Sequence, residues 1–218
     1  MNVFPSVEES YGVEVMRKAI HLSSLAIPIV YFFVDRNVAL AILLPLTLVL
    51  TVSDLLRLYH EPTGRVYERY LGFLLRNHER NDRGRRLTGA TYVLLSATIC
   101  VLVFPKVIVV TAFAILIVSD SAAALIGRRF GRHRLFAKSY EGTAAFFVSA
   151  SAVVLLAPKI LYVPAEYAIG FLAALLGAIV EASPLPLDDN LTIPLAIGAI
   201  MWICYVLFLP TVNVFALG

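Results

Sequence analysis

Three acidic residues, Asp54, Asp120 and Glu181, stand inside long apolar runs. An ionisable group inside a membrane span is expensive, so it marks a functional site by default. Asp120 is followed by Ala123, Ala124 and Gly127 at i+3, i+4 and i+7, and Glu181 is preceded by Gly177, Ala178 and Ala174. Stripes of small residues let a second helix or a ligand come close. The segment GRRFGRHRLFAKSYEGT, 127–143, then crowds Arg128, Arg129, Arg132, Arg134 and Lys138 around Gly127 and Gly131. Glycines there allow tight turns, and the cations are charge-assisted donors for phosphate oxygens. Ser139 precedes the next apolar run, where a hydroxyl caps a helix start that also favours an anion. Glu141, with Gly142 after it, could join that cap or hold a metal ion. The segment EASPLPLDDNLTIPL, 181–195, brings Glu181 together with Asp188, Asp189 and Asn190. One N-cap, at Asp189 or Asn190, would explain one of these residues and not all. Hard oxygen ligands of this kind suit Mg²⁺ bridging substrate phosphates.

Further polar residues sit near the ends of other runs. Arg17 and His21 share one helix face at i, i+4. Asp54 has Arg57 at i+3, a spacing that also suits a packing ion pair. Thr88 and Gly89 can cap the run that follows them.

The elements that must position these groups are membrane helices. Of 218 residues, 60% are hydrophobic, against about 45–50% in soluble domains. Seven runs approach the length of about 20 residues that a spanning helix needs. They lie at about 16–34, 38–58, 89–104, 107–127, 142–157, 165–182 and 191–209. Strand-like alternation is absent, so helices fit and a barrel does not. The expectation is an all-α integral membrane bundle of about seven transmembrane helices, a single domain over 1–218. Glu8, Glu9 and Glu14 before the first run argue against a secretory signal. Cys100 and Cys204 lie within apolar runs and read as small buried hydrophobes. Helix by helix, fifteen of the 18 basic residues fall on one side, leaving Arg36, Lys106 and Lys159 on the other. Lysine and arginine are enriched in cytoplasmic loops, which orients the chain N-in, C-out. The net charge of +3 is thus a topology signal and gives no reason to expect a nucleic-acid partner. The segment 59–88 is basic and amphipathic and suits the membrane surface.

All the candidate groups then meet one cytoplasmic face. Cations for phosphates, acids for a metal and an apolar bundle for a lipid tail describe an enzyme joining a soluble phosphate donor to a membrane lipid.

The motifs resemble the polyprenol kinase family, which includes dolichol kinases, phytol kinases and CTP-dependent diacylglycerol kinases. The matching stretches are RKAIH (17–21), SDLLRL (53–58), RRLTGATY (85–92), the long segment 119–143 and the segment 181–195. The most specific part is Asp120, Ala123, Gly127, Arg128, Phe130 and Gly131, followed by Lys138, Ser139, Glu141 and Gly142. Many members carry Gly where this chain has Ser119. The resemblance implies a CTP-dependent kinase of a membrane isoprenoid alcohol, in a minimal prokaryotic form. It implies that Arg128, Arg129 and Lys138 hold the triphosphate. Asp120, Asp188 and Asp189 would hold Mg²⁺. Asp120, Glu181 or His21 would accept the alcohol proton. ATP as donor and diacylglycerol as acceptor stay open. A phosphatidate cytidylyltransferase shares an Asp…GR-x-FG…S…EG segment, but its closing motif differs from DDNLTIPL. A small transporter would place its polar groups near the midplane in repeated halves; here they lie to one side.

Overall fold

The computed structural model describes residues 7–71, 87–136 and 138–215. Its helices are α1 (Val7–Ser23), α2 (Ala26–Phe33), α3 (Arg36–Tyr59), α4 (Glu61–Leu71), α5 (Gly89–Val103), α6 (Lys106–Phe130), α7 (Tyr140–Leu156), α8 (Pro164–Ala182) and α9 (Asp189–Phe208). A small antiparallel hairpin, β1 (Arg134–Leu135) and β2 (Lys138–Ser139), joins α6 to α7. The fold is all-α apart from that hairpin.

Among the described residues, five segments are long and apolar enough to cross a membrane: Glu14–Phe33, Arg36–Tyr59, Lys106–Phe130, Pro164–Ala182 and Asp189–Phe208. α5 and α7 are apolar but shorter, at 15 and 17 residues. Each of the seven expected runs thus coincides with a helix or, for the first, a helix pair. That first run is broken at Ser24–Leu25 because of Pro28. Proline offers no N–H, and its ring clashes with the carbonyl four residues earlier, here that of Ser24. The Ser24 carbonyl accepts instead from the Ile27 N–H at 2.9 Å, and α2 starts afresh.

α6 is the central helix. It packs on α7 and α9, and on α1 and α2, and nearly all of its residues from Lys106 to Ser121 are buried. α3 is peripheral, packed on α5 and α4. Its outer face exposes Leu44, Leu46, Leu48, Val49 and Val52. Exposed apolar residues along one helix in this way fit a lipid surround.

Glycines set the closest helix contacts. A Cβ on Gly142 would lie 3.0 Å from the Ala123 carbonyl oxygen and 3.3 Å from the Gly127 Cα. α6 and α7 therefore cross backbone to backbone through Ala123, Gly127 and Gly142. A Cβ on Gly177 would lie 2.9 Å from Ile197 of α9. Both small-residue stripes are thus used in helix packing. α6 also runs on to Phe130, three residues past the expected end at 127, so Arg128 and Arg129 lie on the helix and no tight turn forms at Gly127. Asp120 is consequently about 15 Å below the helix end at 1.5 Å per residue.

The sparse side of the bundle uses its cations on backbone. Arg36 donates to the Leu102 carbonyl near the end of α5. Lys159 donates to the carbonyls of Val154 and Ala157 at 2.7 and 2.8 Å, closing α7. Helix C-termini favour positive charge and need donors there. Beside them Glu166, fully buried, accepts from the N–H groups of Ile160 and Leu161, each at 2.9 Å, and from the Tyr205 hydroxyl at 2.9 Å. Cys100 and Cys204 are free and buried, as their apolar surroundings imply.

Candidate functional site

The opposite end of the bundle gathers the C-terminal ends of α3, α6 and α8 and the starts of α5, α7 and α9, with α1 laid along α6. Glu14 of α1 meets Arg128 of α6, while Lys18 meets Asp120. The two helices therefore run in opposite directions, and α1 delivers its polar face to α6.

Asp120 is the centre. It is buried, and its Oδ2 accepts from Lys18 Nζ at 2.5 Å. His21 Nε2 lies 3.5 Å from the same oxygen. Asp120 is also within electrostatic range of Lys138 and of Glu181. The hairpin carries Lys138 over this carboxylate and into a second cluster. Its Nζ donates to Glu181 of α8 at 2.8 Å and to Asp189 of α9 at 2.9 Å. Burial alone would lower the Lys138 pKa, but Asp189 and Glu181 outweigh it and hold the ammonium above the ordinary lysine value. Glu181 is buried, and its Oε2 has no partner among the described residues.

Other expected residues have local tasks. Ser139 caps α7, accepting from the Gly142 N–H at 3.1 Å. Gly131 has φ −62, so turn geometry does not require glycine there. Close approach does, because a Cβ would lie 2.8 Å from Ser139 Oγ. Glu141 accepts from the His133 N–H at 3.2 Å and pairs with His133 Nδ1 at 2.8 Å, tying down the strand that leads into the hairpin. The cap of α9 falls at Asp188, one residue before the expected positions. Its Oδ1 accepts from the N–H of the buried Asn190 at 3.0 Å. Asp188 is the last extended residue before the helix, so its carboxylate reaches a free first-turn N–H. Arg129 lies over the rings of Tyr11 and Phe130, at 6.0 and 5.5 Å.

Asp54 forms a separate node joining α3 to α5. Its Oδ2 accepts from the Thr88 N–H at 2.7 Å, Thr88 Oγ1 at 3.0 Å and Thr91 Oγ1 at 2.7 Å, while Arg57 Nε lies 3.3 Å from Oδ1. A carboxylate over the first turn of α5 satisfies free N–H groups and complements the helix dipole. Of the amphipathic 59–88 segment, α4 is seen, while Arg76, Arg80, Arg83, Arg85 and Arg86 lie outside the described residues.

Two residues at the site escaped the sequence reading as site members: Glu14 and Lys18. Both are buried. The signal was there, since 14, 18 and 21 share one helical face.

Among curated proteins the chain is similar to the uncharacterized protein RP860 of Rickettsia prowazekii (strain Madrid E). They are 30% identical over 190 residues, covering 86% of this chain and 93% of that protein. This chain belongs to the same family. The likeness runs across most of the bundle and is not confined to one motif. No family model matches the chain, and no solved structure matches it.

Proposed function

We propose that this protein is a CTP-dependent lipid kinase, transferring the terminal phosphoryl group to a membrane isoprenoid alcohol. The observation that carries the reading is the convergence of Lys18, His21, Asp120, Lys138, Glu181 and Asp189 at one end of an apolar bundle. Phosphoryl transfer needs mainly positioning and charge neutralisation, and the buried Lys18, Asp120 and Glu181 with the half-buried Lys138 and Asp189 could supply both. In this reading the acceptor comes from the bilayer and the donor from water, and the site would lie where the two meet. In this reading seven helices cross the cell membrane, N-in and C-out, with the site facing the cytoplasm, where nucleotides are available.

In the reaction the acceptor oxygen forms a bond to the γ-phosphorus as the bond to the β,γ-bridging oxygen breaks. The nucleoside diphosphate leaves, and the alcohol proton passes to a base. Asp120, Glu181 and His21 are the candidates: Lys18 and His21 hold Asp120 Oδ2 in place but weaken it as a base, whereas Glu181 Oε2 is buried with no partner among the described residues. Lys138, with Arg128 and Arg129 at the rim, would receive the triphosphate.

The donor set fits Mg²⁺. Among the described residues no three His, Cys, Asp or Glu side chains form a ready metal cluster. Magnesium commonly takes only one or two carboxylates and completes its shell with phosphates and water. Glu181, whose Oε2 is buried and unpartnered among the described residues, would hold it with Asp189, which shares Lys138 with it. Bound there, the ion would neutralise phosphate charge.

Detergent-purified protein, supplied with γ-labelled CTP or ATP and a panel of polyprenols, phytol and diacylglycerol, tests the reading. Label is expected in a lipid monophosphate, with CTP as donor. Labelled pyrophosphate together with a CDP-lipid would instead identify a cytidylyltransferase.

A further inference from the structure

Glu14 of α1 is buried, although it belongs to none of the acidic segments that the sequence singles out. Its two carboxylate oxygens go to two different guanidiniums. Oε1 accepts from Arg17 on its own helix, and Oε2 lies 3.0 Å from Arg128 Nη2 of α6 in an ion pair. The Arg17 and Arg128 side chains are 28% and 47% exposed, while that of Glu14 is 4% exposed. One buried carboxylate thus anchors two partly exposed arginines from two helices, side by side at the mouth of the site.

A guanidinium has five N–H donors in a rigid plane. Glu14 engages one amino group of each arginine and leaves other donors on both facing outward. Two such forks make a bidentate receptor for phosphate oxygens. The set of two cations and one anion keeps a net positive charge. An unanchored surface arginine would lose rotamer freedom on gripping a ligand, a cost of roughly 0.5–1.5 kcal/mol per side chain. A buried anchor removes part of that cost beforehand.

We infer that Glu14 is a positioning residue that assembles Arg17 and Arg128 into a two-guanidinium grip for the polyphosphate of the donor. Its use in turnover rests on the kinase reading. The grip itself predicts binding of any compact polyphosphate.

The test compares the purified full chain with Glu14→Gln, Glu14→Asp, Arg128→Ala and the double variant Glu14→Gln/Arg128→Ala. Glutamine keeps the shape but turns an amide N–H₂ toward one guanidinium. KM for the nucleotide is expected to rise about tenfold in Glu14→Gln, the equivalent of losing one charged hydrogen bond, with kcat changing far less. Glu14→Asp should recover part of the affinity, and the double variant should lose less than the two single variants combined, because without Arg128 Glu14 acts only through Arg17. Additive effects of the two substitutions, or a normal KM in Glu14→Gln, would overturn the inference. A joint fall in melting temperature and kcat at unchanged KM would also overturn it, because that describes a helix staple. If Glu14→Gln does not fold, Glu14→Asp carries the same comparison. Calorimetry with inorganic pyrophosphate reads the grip without turnover. Wild-type protein that phosphorylates no lipid sinks the kinase reading alone; equal pyrophosphate affinity in wild type and the Glu14 variants sinks the grip alone.

Discussion

Asp120 and Lys138 hold opposite ends of one charge network, and their substitutions should have different consequences. Asp120→Asn keeps size and a hydrogen-bonding oxygen but removes the charge that Lys18 and His21 surround. Turnover should fall by about 100-fold or more, the typical contribution of a positioned proton acceptor, while the protein stays folded in detergent. Near-normal activity would remove Asp120 from the chemistry. Lys138 gives a pH prediction. Its folded-state value lies above the ordinary 10.5, so its bridge to Glu181 and Asp189 is at full strength below that value. The bridge is lost only as pH rises through the higher folded value. The melting difference between wild type and Lys138→Met should therefore be constant from about pH 6 to 9 and shrink only in stronger alkali. A difference that changes near neutrality would show that another group controls the bridge. Asp120, Lys138, Glu181 and Asp189 were legible in sequence because charge in an apolar run, or beside one, is conspicuous. Glu14 and Lys18 share a helical face with His21, but at the start of the first apolar run they look like ordinary flanking charges until α1 is seen lying along α6.

At the scale of elements, the site depends on how closely α6 and α7 cross. Gly142→Ala places a methyl group against the Ala123 carbonyl and the Gly127 Cα, backbone that cannot rotate away. Destabilisation of about 1–3 kcal/mol is expected from overpacking, read as a lower melting temperature, with Lys138 displaced and activity reduced. Unchanged melting would show that the crossing is looser than the geometry states. The Asp54 node predicts a loss confined to stability. Asp54→Ala leaves Arg57 and the Thr88 N–H without their buried carboxylate, a change of about 3 kcal/mol. A catalytic defect in a variant of normal stability would contradict that structural role. Periodicity located these helices well but missed two details. α6 continues past Gly127 because nothing there stops it, and the hairpin is set by the Arg134–Ser139 and Leu135–Lys138 pairing, too short to leave a periodic pattern.

For the whole molecule, the sidedness of charge is matched by a division of labour. One end uses Arg36, Lys159 and Glu166 to close helix termini; the other gathers cations and acids around Asp120. The proposed orientation makes these ends face opposite sides of the membrane. With Cys100 and Cys204 replaced by Ala, Leu161→Cys should react with an impermeant thiol reagent from outside the cell, and Leu187→Cys only after the membrane is opened. Labelling of both from one side would break the seven-helix arrangement. The central claim concerns which bond is broken at the Asp120 end of the bundle. Its most direct measurement follows α-labelled and γ-labelled CTP in parallel through one turnover on purified protein with a polyprenol acceptor. The account predicts that γ label enters lipid monophosphate while α label stays in the nucleoside diphosphate. Transfer of α label to lipid, or no transfer of either, would contradict it.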